Sequence, residues 1–245
     1  MEKFMVLLIT LIVGLAPLMA SGQKYEEDII STSKGNLKIT FIGHASLFFT
    51  FEGKVIHVDP VTSESDYKKL PQADLILITH EHYDHCDPGA IRILKKDSTV
   101  VIGSASCASQ VPGLKIMKNG DRLNILGLEI EAVPAYNLQH RRPDGQPFHP
   151  KGVGNGYVIT FGDKRVYVAG DTENIPEMKN LKNIDIAFLP MNLPYTMTPE
   201  MVAEAASWIK PKILYPYHYG ETDTSRLITL LKDKPEIEVR IRRMK

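Results

Sequence analysis

Four potential metal ligands lie within six positions of one short segment. His80, His82, Asp84 and His85 follow residues 74–79, an apolar run typical of a strand buried on both faces. Side chains two positions apart on an extended segment point the same way, so His80 and His82 can face one point. Imidazole and carboxylate ligands without thiolate suit zinc, iron or manganese. The segment therefore predicts a metal site at the end of a central strand.

Two further ligand candidates lie far along the chain. Asp171 follows a strand predicted over residues 165–169, and His218 follows one predicted over residues 212–217. Taken singly, each is more often a structural residue, but both occupy the end of a strand, where functional loops gather. Together with the first segment they supply the residue types of a metal site with several ligands.

The elements that must position these residues are mostly strands. Short apolar or alternating runs rich in Val, Ile, Phe and Tyr are typical of strands. Ten are predicted, over residues 37–42, 46–51, 54–58, 74–79, 99–102, 128–133, 156–161, 165–169, 185–189 and 212–217. Helices are predicted over residues 88–95, 199–209 and 225–232, the second with Thr198 as N-cap and Pro199 at its first position.

The chain contains a faint internal duplication. Residues 50–59 resemble residues 160–171, and in each half a strand and then a helix follow at similar distances. The helix starts, Pro88 and Pro199, are 111 residues apart, which is too long for a solenoid repeat and suits a duplicated half-domain. Two such halves packed face to face predict one domain, a β-sandwich with helices outside.

Composition excludes several classes of protein. The 245 residues carry 29 Lys and Arg against 29 Asp and Glu, so no overall positive charge exists to bind nucleic acid. The content of 43% hydrophobic and 24% charged residues is that of a globular domain. Two cysteines, Cys86 and Cys107, allow at most one disulfide, so a hydrophobic core must supply the stability.

The N-terminus predicts export. Met1-Glu2-Lys3 precedes an uncharged run over residues 4–20, and the small residues Ala20 and Gly22 suit a cleavage site before Gln23. We expect residues 1–22 to be a signal peptide and residues 23–245 to form the mature domain, periplasmic or secreted, with no stable membrane span after cleavage. An uncleaved membrane anchor is the alternative.

The motif H-x-H-x-D-H formed by His80, His82, Asp84 and His85, with the later Asp and His, resembles the metallo-β-lactamase superfamily from about Asn36 onward. The resemblance implies an α+β fold, a four-layer αββα sandwich of two similar halves with metal at one edge. By matched position it implies that one metal binds His80 and His82, a second binds Asp84, His85 and His218, and Asp171 bridges them.

One position departs from the family pattern. The family supplies a further histidine to the first metal, but the corresponding segment reads Pro134-Ala135-Tyr136-Asn137. We favour His149, whose surroundings resemble those in small hydrolase-like members of the superfamily, and His140 is the alternative.

Other residues are assigned to the surroundings of the site. The Gly43-His44 segment resembles the lactonase-like and phosphodiesterase-like branches, so His44 either lines the pocket or is structural. Asp59 is expected to hold a ligand histidine in its tautomer, and His57 is expected to be structural. Tyr195 and Tyr219 flank the site in sequence, either as donors to the transition state or as packing residues.

These features predict a hydrolase. Two divalent ions, Zn²⁺ first and Mn²⁺ or Fe²⁺ as alternatives, would share a bridging hydroxide that Asp84, as the catalytic residue, also orients. We expect a small-molecule substrate with an ester, lactone or phosphodiester bond. Arg141, Arg142 and Lys151 favour an anionic one, although a solvated loop explains them equally well. The alternatives are a β-lactamase-type amide hydrolase and a metal-dependent binding protein without turnover.

Overall fold

The computed structural model describes residues 25–245, which form two seven-stranded mixed sheets packed face to face. The predicted signal peptide, residues 1–22, lies outside the described residues. Within residues 25–245 no helix is long and apolar enough to cross a membrane.

The first sheet follows the chain strand by strand. Its members are β1 (Glu26–Thr32), β2 (Gly35–Gly43), β3 (Ser46–Phe51), β4 (Lys54–Val58), β5 (Ala73–Ile78), β6 (Lys95–Gly103) and β7 (Lys115–Ile116). Strands β1 to β4 pair antiparallel, and β4 to β7 pair parallel. Because parallel neighbours end at the same edge, the loop after β5 lies beside that after β4.

The second sheet repeats this arrangement. Its members are β8 (Arg122–Ile125), β9 (Leu128–Ala135), β10 (Gly154–Phe161), β11 (Lys164–Val168), β12 (Ile186–Pro190), β13 (Ile213–Tyr217) and β14 (Glu238–Val239). Strands β8 to β11 pair antiparallel, and β11 to β14 pair parallel. The hairpin β3–β4 matches β10–β11 in register, with Leu47 opposite Val58 and Tyr157 opposite Val168. The structure thus contains the duplication that the sequence predicts.

Burial explains why residues 75–78 of β5 are all apolar. Leu75 and Leu77 face the core between the two sheets, whereas Ile76 and Ile78 face the outer core beneath a helix. A strand covered on both faces needs apolar residues at every position. The predicted αββα order of layers is confirmed.

Three helices form the outer layers. Helix α1 (Pro88–Leu94) packs on the first sheet, and α2 (Pro199–Ile209) and α3 (Thr224–Leu231) cover the second. Each begins at a capping side chain that accepts backbone N–H groups, namely Asp87, Thr198 or Asp223. The cap at Asp87 ends the ligand-bearing loop that follows β5, so α1 fixes the far side of that loop.

Within residues 25–245, four strands at the sheet edges were not predicted from the sequence: β1, β7, β8 and β14. Strand β1 has the charged sequence Glu-Glu-Asp-Ile-Ile-Ser-Thr, and pairing with β2 overrides its weak strand propensity. The strands β7 and β14 have two residues each, too few for any periodicity to show. Cys86 and Cys107 are both buried and free, so the structure contains no disulfide between them.

Candidate metal centre

The candidate ligands meet at one edge of the sandwich, where parallel strands of both sheets end. The segment that begins at Thr79 leaves β5, Asp171 lies just after β11, and His218 directly follows β13. A backbone hydrogen bond of 2.9 Å from the His218 N–H to the His44 carbonyl joins the two sheets at this edge. The duplicated topology therefore brings together residues that are up to 138 positions apart in the sequence.

A first group of ligand atoms comes from His80, His82 and His149, whose ring nitrogens lie within 4.8 Å of one another. Nε2 of His80 is 3.1 Å from Nδ1 of His82. Nε2 of His149 is 3.2 Å from Oδ2 of Asp171. Three imidazoles that converge in this way offer the ligand set of a divalent metal ion.

A second group comes from His44, Asp84, His85 and His218, again within 4.8 Å of one another. Nε2 of His44 is 3.2 Å from Oδ2 of Asp84, and the rings of His44 and His218 have centroids 3.8 Å apart. Of the two roles left open for His44, the structure supports pocket lining, because its imidazole touches two candidate ligands.

Asp171 lies between the two groups. Its Oδ2 is 3.2 Å from Nε2 of His149 and 3.5 Å from Nε2 of His218. Its Oδ1 is 3.4 Å from Nε2 of His85, and Oδ2 is 3.9 Å from Nε2 of His80. This carboxylate alone faces imidazoles of both groups, which is the placement that a bridging ligand requires.

Three buried polar atoms at the centre have no hydrogen-bond partner, which supports metal binding. Nε2 of His85, Nε2 of His218 and Oδ1 of Asp171 make no hydrogen bond although they are shielded from solvent. Buried polar atoms are nearly always satisfied, and a cluster of exceptions needs an explanation such as an ion. The donor set of imidazole nitrogens and carboxylate oxygens fits zinc, manganese or iron.

Asp59 holds two of the histidines in place. Its Oδ2 accepts from Nδ1 of His85 at 2.8 Å and from the Thr79 hydroxyl at 2.7 Å. The Thr79 oxygen can in turn accept from Nδ1 of His80 at 3.0 Å. With both Nδ1 atoms occupied as donors, Nε2 of each ring is left for a metal. The position expected for Asp59 from the sequence is the one that the structure gives.

His149 is held by two residues that the sequence analysis did not identify. Oδ1 of Asn137 accepts both from the His149 backbone N–H at 2.8 Å and from its ring Nδ1 at 2.7 Å. Nδ2 of Asn137 donates to Oε1 of Glu173 at 3.0 Å. Glu173 is fully buried and also accepts the backbone N–H groups of Leu138 and Gln139. Two features of the sequence could have pointed to these residues. Glu173 directly follows the Gly-Asp-Thr turn, and Asn137 lies in the segment where the family pattern has a histidine.

Burial and neighbouring charges shift the pKa values of the cluster. Burial lowers the pKa of His80, and the nearby His85 lowers it further. Burial alone would raise the pKa of Asp171, but the surrounding imidazoles of His218, His85 and His149 hold it well below its usual range. Burial alone would lower the pKa of His85, but the carboxylates of Asp171 and Asp59 raise it well above its usual value. The site thus carries ionised carboxylates in a water-poor environment, which favours a cation.

The other candidates lie around this centre or away from it. Nδ1 of His140 contacts the Thr196 carbonyl at 2.8 Å, and its ring belongs to neither ligand group. His57 is buried against Phe48 and bonded to the Pro71 carbonyl, as expected of a structural residue, and burial lowers its pKa to about 4. The Tyr219 hydroxyl donates to the Arg242 carbonyl, so Tyr219 acts in packing.

A cavity of about 500 Å³ opens above the cluster. Five candidate ligands line its floor, and its walls include Tyr83, Arg142, Phe148, Asn192 and Tyr195. The five are His82, Asp84, His149, Asp171 and His218. A pocket of this size admits a small organic molecule.

The comparison with known proteins identifies the family. The sequence profile of the beta-lactamase superfamily domain matches residues 38–218, which include every candidate ligand. The chain belongs to the metallo-β-lactamase superfamily. Within it, the chain is similar to a UPF0173 metal-dependent hydrolase of Thermococcus onnurineus, at 33% identity over 221 residues, 82% of this chain and 95% of that one. A UPF0173 metal-dependent hydrolase of Methanopyrus kandleri is 32% identical over 196 residues, 75% and 84% of the two chains.

Solved structures of the superfamily agree with the fold. A crystal structure of a metal-dependent hydrolase from Parabacteroides distasonis has 49% sequence identity and a TM-score of 0.87, covering 91% of this chain and 100% of that one. Igni18, a metallo hydrolase from Ignicoccus hospitalis, has 25% identity and a TM-score of 0.70, covering 85% and 95%. The predicted superfamily membership is confirmed.

Proposed function

We propose that this chain hydrolyses an ester, lactone or phosphodiester bond of a small molecule at a centre with two divalent metal ions. Its class, a metal-dependent hydrolase of the metallo-β-lactamase superfamily, is that of its relatives. The observation that carries the proposal is the convergence of seven imidazole and carboxylate ligands around buried polar atoms that have no hydrogen-bond partner.

The ligands divide between two ions according to their grouping. His80, His82 and His149 would hold one ion, Asp84, His85 and His218 would hold the other, and Asp171 lies where it could serve both. Zn²⁺ is the first choice, with Mn²⁺ and Fe²⁺ as alternatives, because all three accept mixed nitrogen and oxygen ligands. When bound, such ions lower the pKa of water towards neutrality and polarise the bond that is attacked.

The remaining chemistry belongs to the chain's own residues. Asp84 is half-buried at the cavity floor, so its carboxylate can orient a water molecule and take its proton while it contacts substrate. His44, 3.2 Å away, holds Oδ2 of Asp84 in place. His80 and His85 are buried and do not line the cavity, and substrate therefore approaches from the side of Asp84.

Hydrolysis can be tested by reloading the metal-free chain with Zn²⁺, Mn²⁺ or Fe²⁺. The substrates are p-nitrophenyl acetate, a γ-lactone, bis(p-nitrophenyl) phosphate and a β-lactam. We expect turnover of one of the first three that Asp84→Asn lowers by about 100-fold or more. Turnover of the β-lactam alone would favour the amide hydrolase. A fully loaded protein without any turnover would favour a binding protein.

We propose further that residues 1–22 direct export and that residues 23–245 act in the periplasm or outside the cell. The uncharged run over residues 4–20 and the small residues that follow it support this address. Expression of the full chain and N-terminal sequencing of the exported product test the proposal. A product that begins at Gln23 is expected, and a full-length chain retained in the membrane would contradict it.

A further inference from the structure

The segment between Asn137 and His149 carries an arginine whose charge no carboxylate balances. Backbone hydrogen bonds between Arg142 and Gln146 and between Gly145 and Arg142 close a small hairpin over the cavity. The Arg142 guanidinium lies 5.7 Å from the centre of the Phe148 ring and 3.3 Å from the Phe148 carbonyl. Within residues 25–245 no carboxylate forms an ion pair with it.

Most of the donors of Arg142 are unused. A guanidinium has five N–H donors, and within residues 25–245 its only carbonyl acceptor is that of Phe148. Its Nη2 is also 3.4 Å from Nε2 of His82, but Nδ1 of that ring faces His80 and the metal position. If Nδ1 binds metal, Nε2 carries the proton and cannot accept. The guanidinium therefore has unused donors where it lines the cavity, beside a ligand of the first group.

The other two cations of this segment are occupied elsewhere. Lys151 pairs with Glu177 at 2.8 Å, and neither residue lines the cavity. Arg141 donates to the Gly145 carbonyl at 3.0 Å and also lies outside the cavity lining. Of the three cations that the sequence analysis considered, the structure directs only Arg142 towards the site.

Aromatic side chains surround the same opening. Tyr83 is 86% exposed and Tyr195 is 46% exposed, although both line the cavity. Phe148 packs edge-on against Tyr195, with ring centroids 5.1 Å apart. Exposed aromatic rings gathered at a cavity mouth mark a surface that binds an apolar group.

We propose that Arg142 is a specificity-determining residue that binds an anionic oxygen group of the substrate, away from the bond that is hydrolysed. The guanidinium is suited to this because it matches carboxylate and phosphate oxygens in a bidentate geometry. The substrate is then a small ester-type molecule with an apolar body between the aromatic rings and an anionic group at Arg142. This inference rests on the proposed hydrolytic function.

Two matched ester substrates test the proposal in the metal-loaded chain. The p-nitrophenyl ester of glutaric acid carries a free carboxylate, and p-nitrophenyl valerate has the same length without it. Arg142→Gln removes the charge but keeps a polar amide that can donate hydrogen bonds. We expect KM for the glutarate ester to rise about tenfold or more, with KM for the valerate ester and the bound metal unchanged. Arg141→Gln, the control from the neighbouring position, leaves both KM values unchanged.

A binding measurement that does not depend on turnover distinguishes failure of this proposal from failure of the proposed hydrolytic function. Calorimetric titration of the metal-loaded chain with glutarate and valerate compares a dicarboxylate with a monocarboxylate of equal length. Tighter binding of glutarate that Arg142→Gln abolishes supports the proposal, even if neither ester is hydrolysed. Equal binding of the two, or an equal loss of both in Arg142→Gln, would overturn it and leave Arg142 as a residue that only supports its hairpin.

Discussion

Asn137 offers a sharp test of how this chain positions the third histidine of the first group. Its side-chain oxygen accepts from both the backbone and the ring of His149, and its amide donates to Glu173 and to the Tyr195 carbonyl. Asn137→Ala leaves two buried donors of His149 without an acceptor. Since each buried unsatisfied group costs about 1–3 kcal/mol, we expect a loss of about 2–6 kcal/mol in the free energy of unfolding.

The same substitution is expected to weaken metal binding. Without Asn137 the imidazole of His149 can rotate or protonate on the wrong nitrogen. Loss of such an outer hydrogen-bond partner typically lowers metal affinity by about 10–100-fold. Competition with a chromophoric chelator measures the affinity, and urea unfolding of the metal-free chain measures the stability.

Asn119→Ala is the matched control for this experiment. The Asn119 amide makes three hydrogen bonds, to the carbonyls of Val133 and Gly154 and to Asn155, but touches no candidate ligand. We expect Asn119→Ala to lower stability without a change in metal affinity. Equal affinity in Asn137→Ala and Asn119→Ala would refute the idea that Asn137 prepares His149 for metal binding.

Two further predictions concern the backbone at Asp171 and the packing of the C-terminal residues. Gly170 has a φ of +66°, and a Cβ there would lie 2.8 Å from the Asn155 carbonyl. We expect Gly170→Ala to lower the free energy of unfolding by about 1–3 kcal/mol and, with it, Tm. The amount of bound metal should fall as well. Unchanged Tm and unchanged bound metal would contradict this expectation. Burial would raise the pKa of Asp28, but hydrogen bonds from Arg242 and Tyr215 hold it below its usual range. The stability that Asp28 contributes is therefore present above its unfolded pKa and disappears as the pH falls below about 4. Urea midpoints of Asp28→Asn and the parent are expected to differ at pH 7 and to converge at low pH.

The sequence predicted the central strands well because burial imposes an unambiguous pattern on them. Residues 75–78 are apolar at every position since both faces of β5 are covered. The edge strand β1 carries no such pattern, because its pairing depends on β2 rather than on its own residues. Edge strands were therefore the elements that the sequence did not reveal.

A similar distinction applies to the candidate site. His80, His82, Asp84 and His85 lie in one contiguous motif at the end of a predictable strand, so they could be identified from spacing. The choice between His149 and His140 depended on the path of a long loop. That path is set by Glu173, which lies 36 positions from Asn137 and binds the backbone where the loop begins. Contacts between residues so far apart in the sequence produce no periodic pattern that a single sequence could show.

We expect the chain to hold two metal ions, with His149 as a ligand and His140 outside the site. Elemental analysis of the purified chain, of His149→Ala and of His140→Ala tests it most directly. We predict about two equivalents of divalent metal in the parent and in His140→Ala, and a clear loss in His149→Ala. One equivalent or less in the parent, unchanged by either substitution, would contradict the two-ion centre.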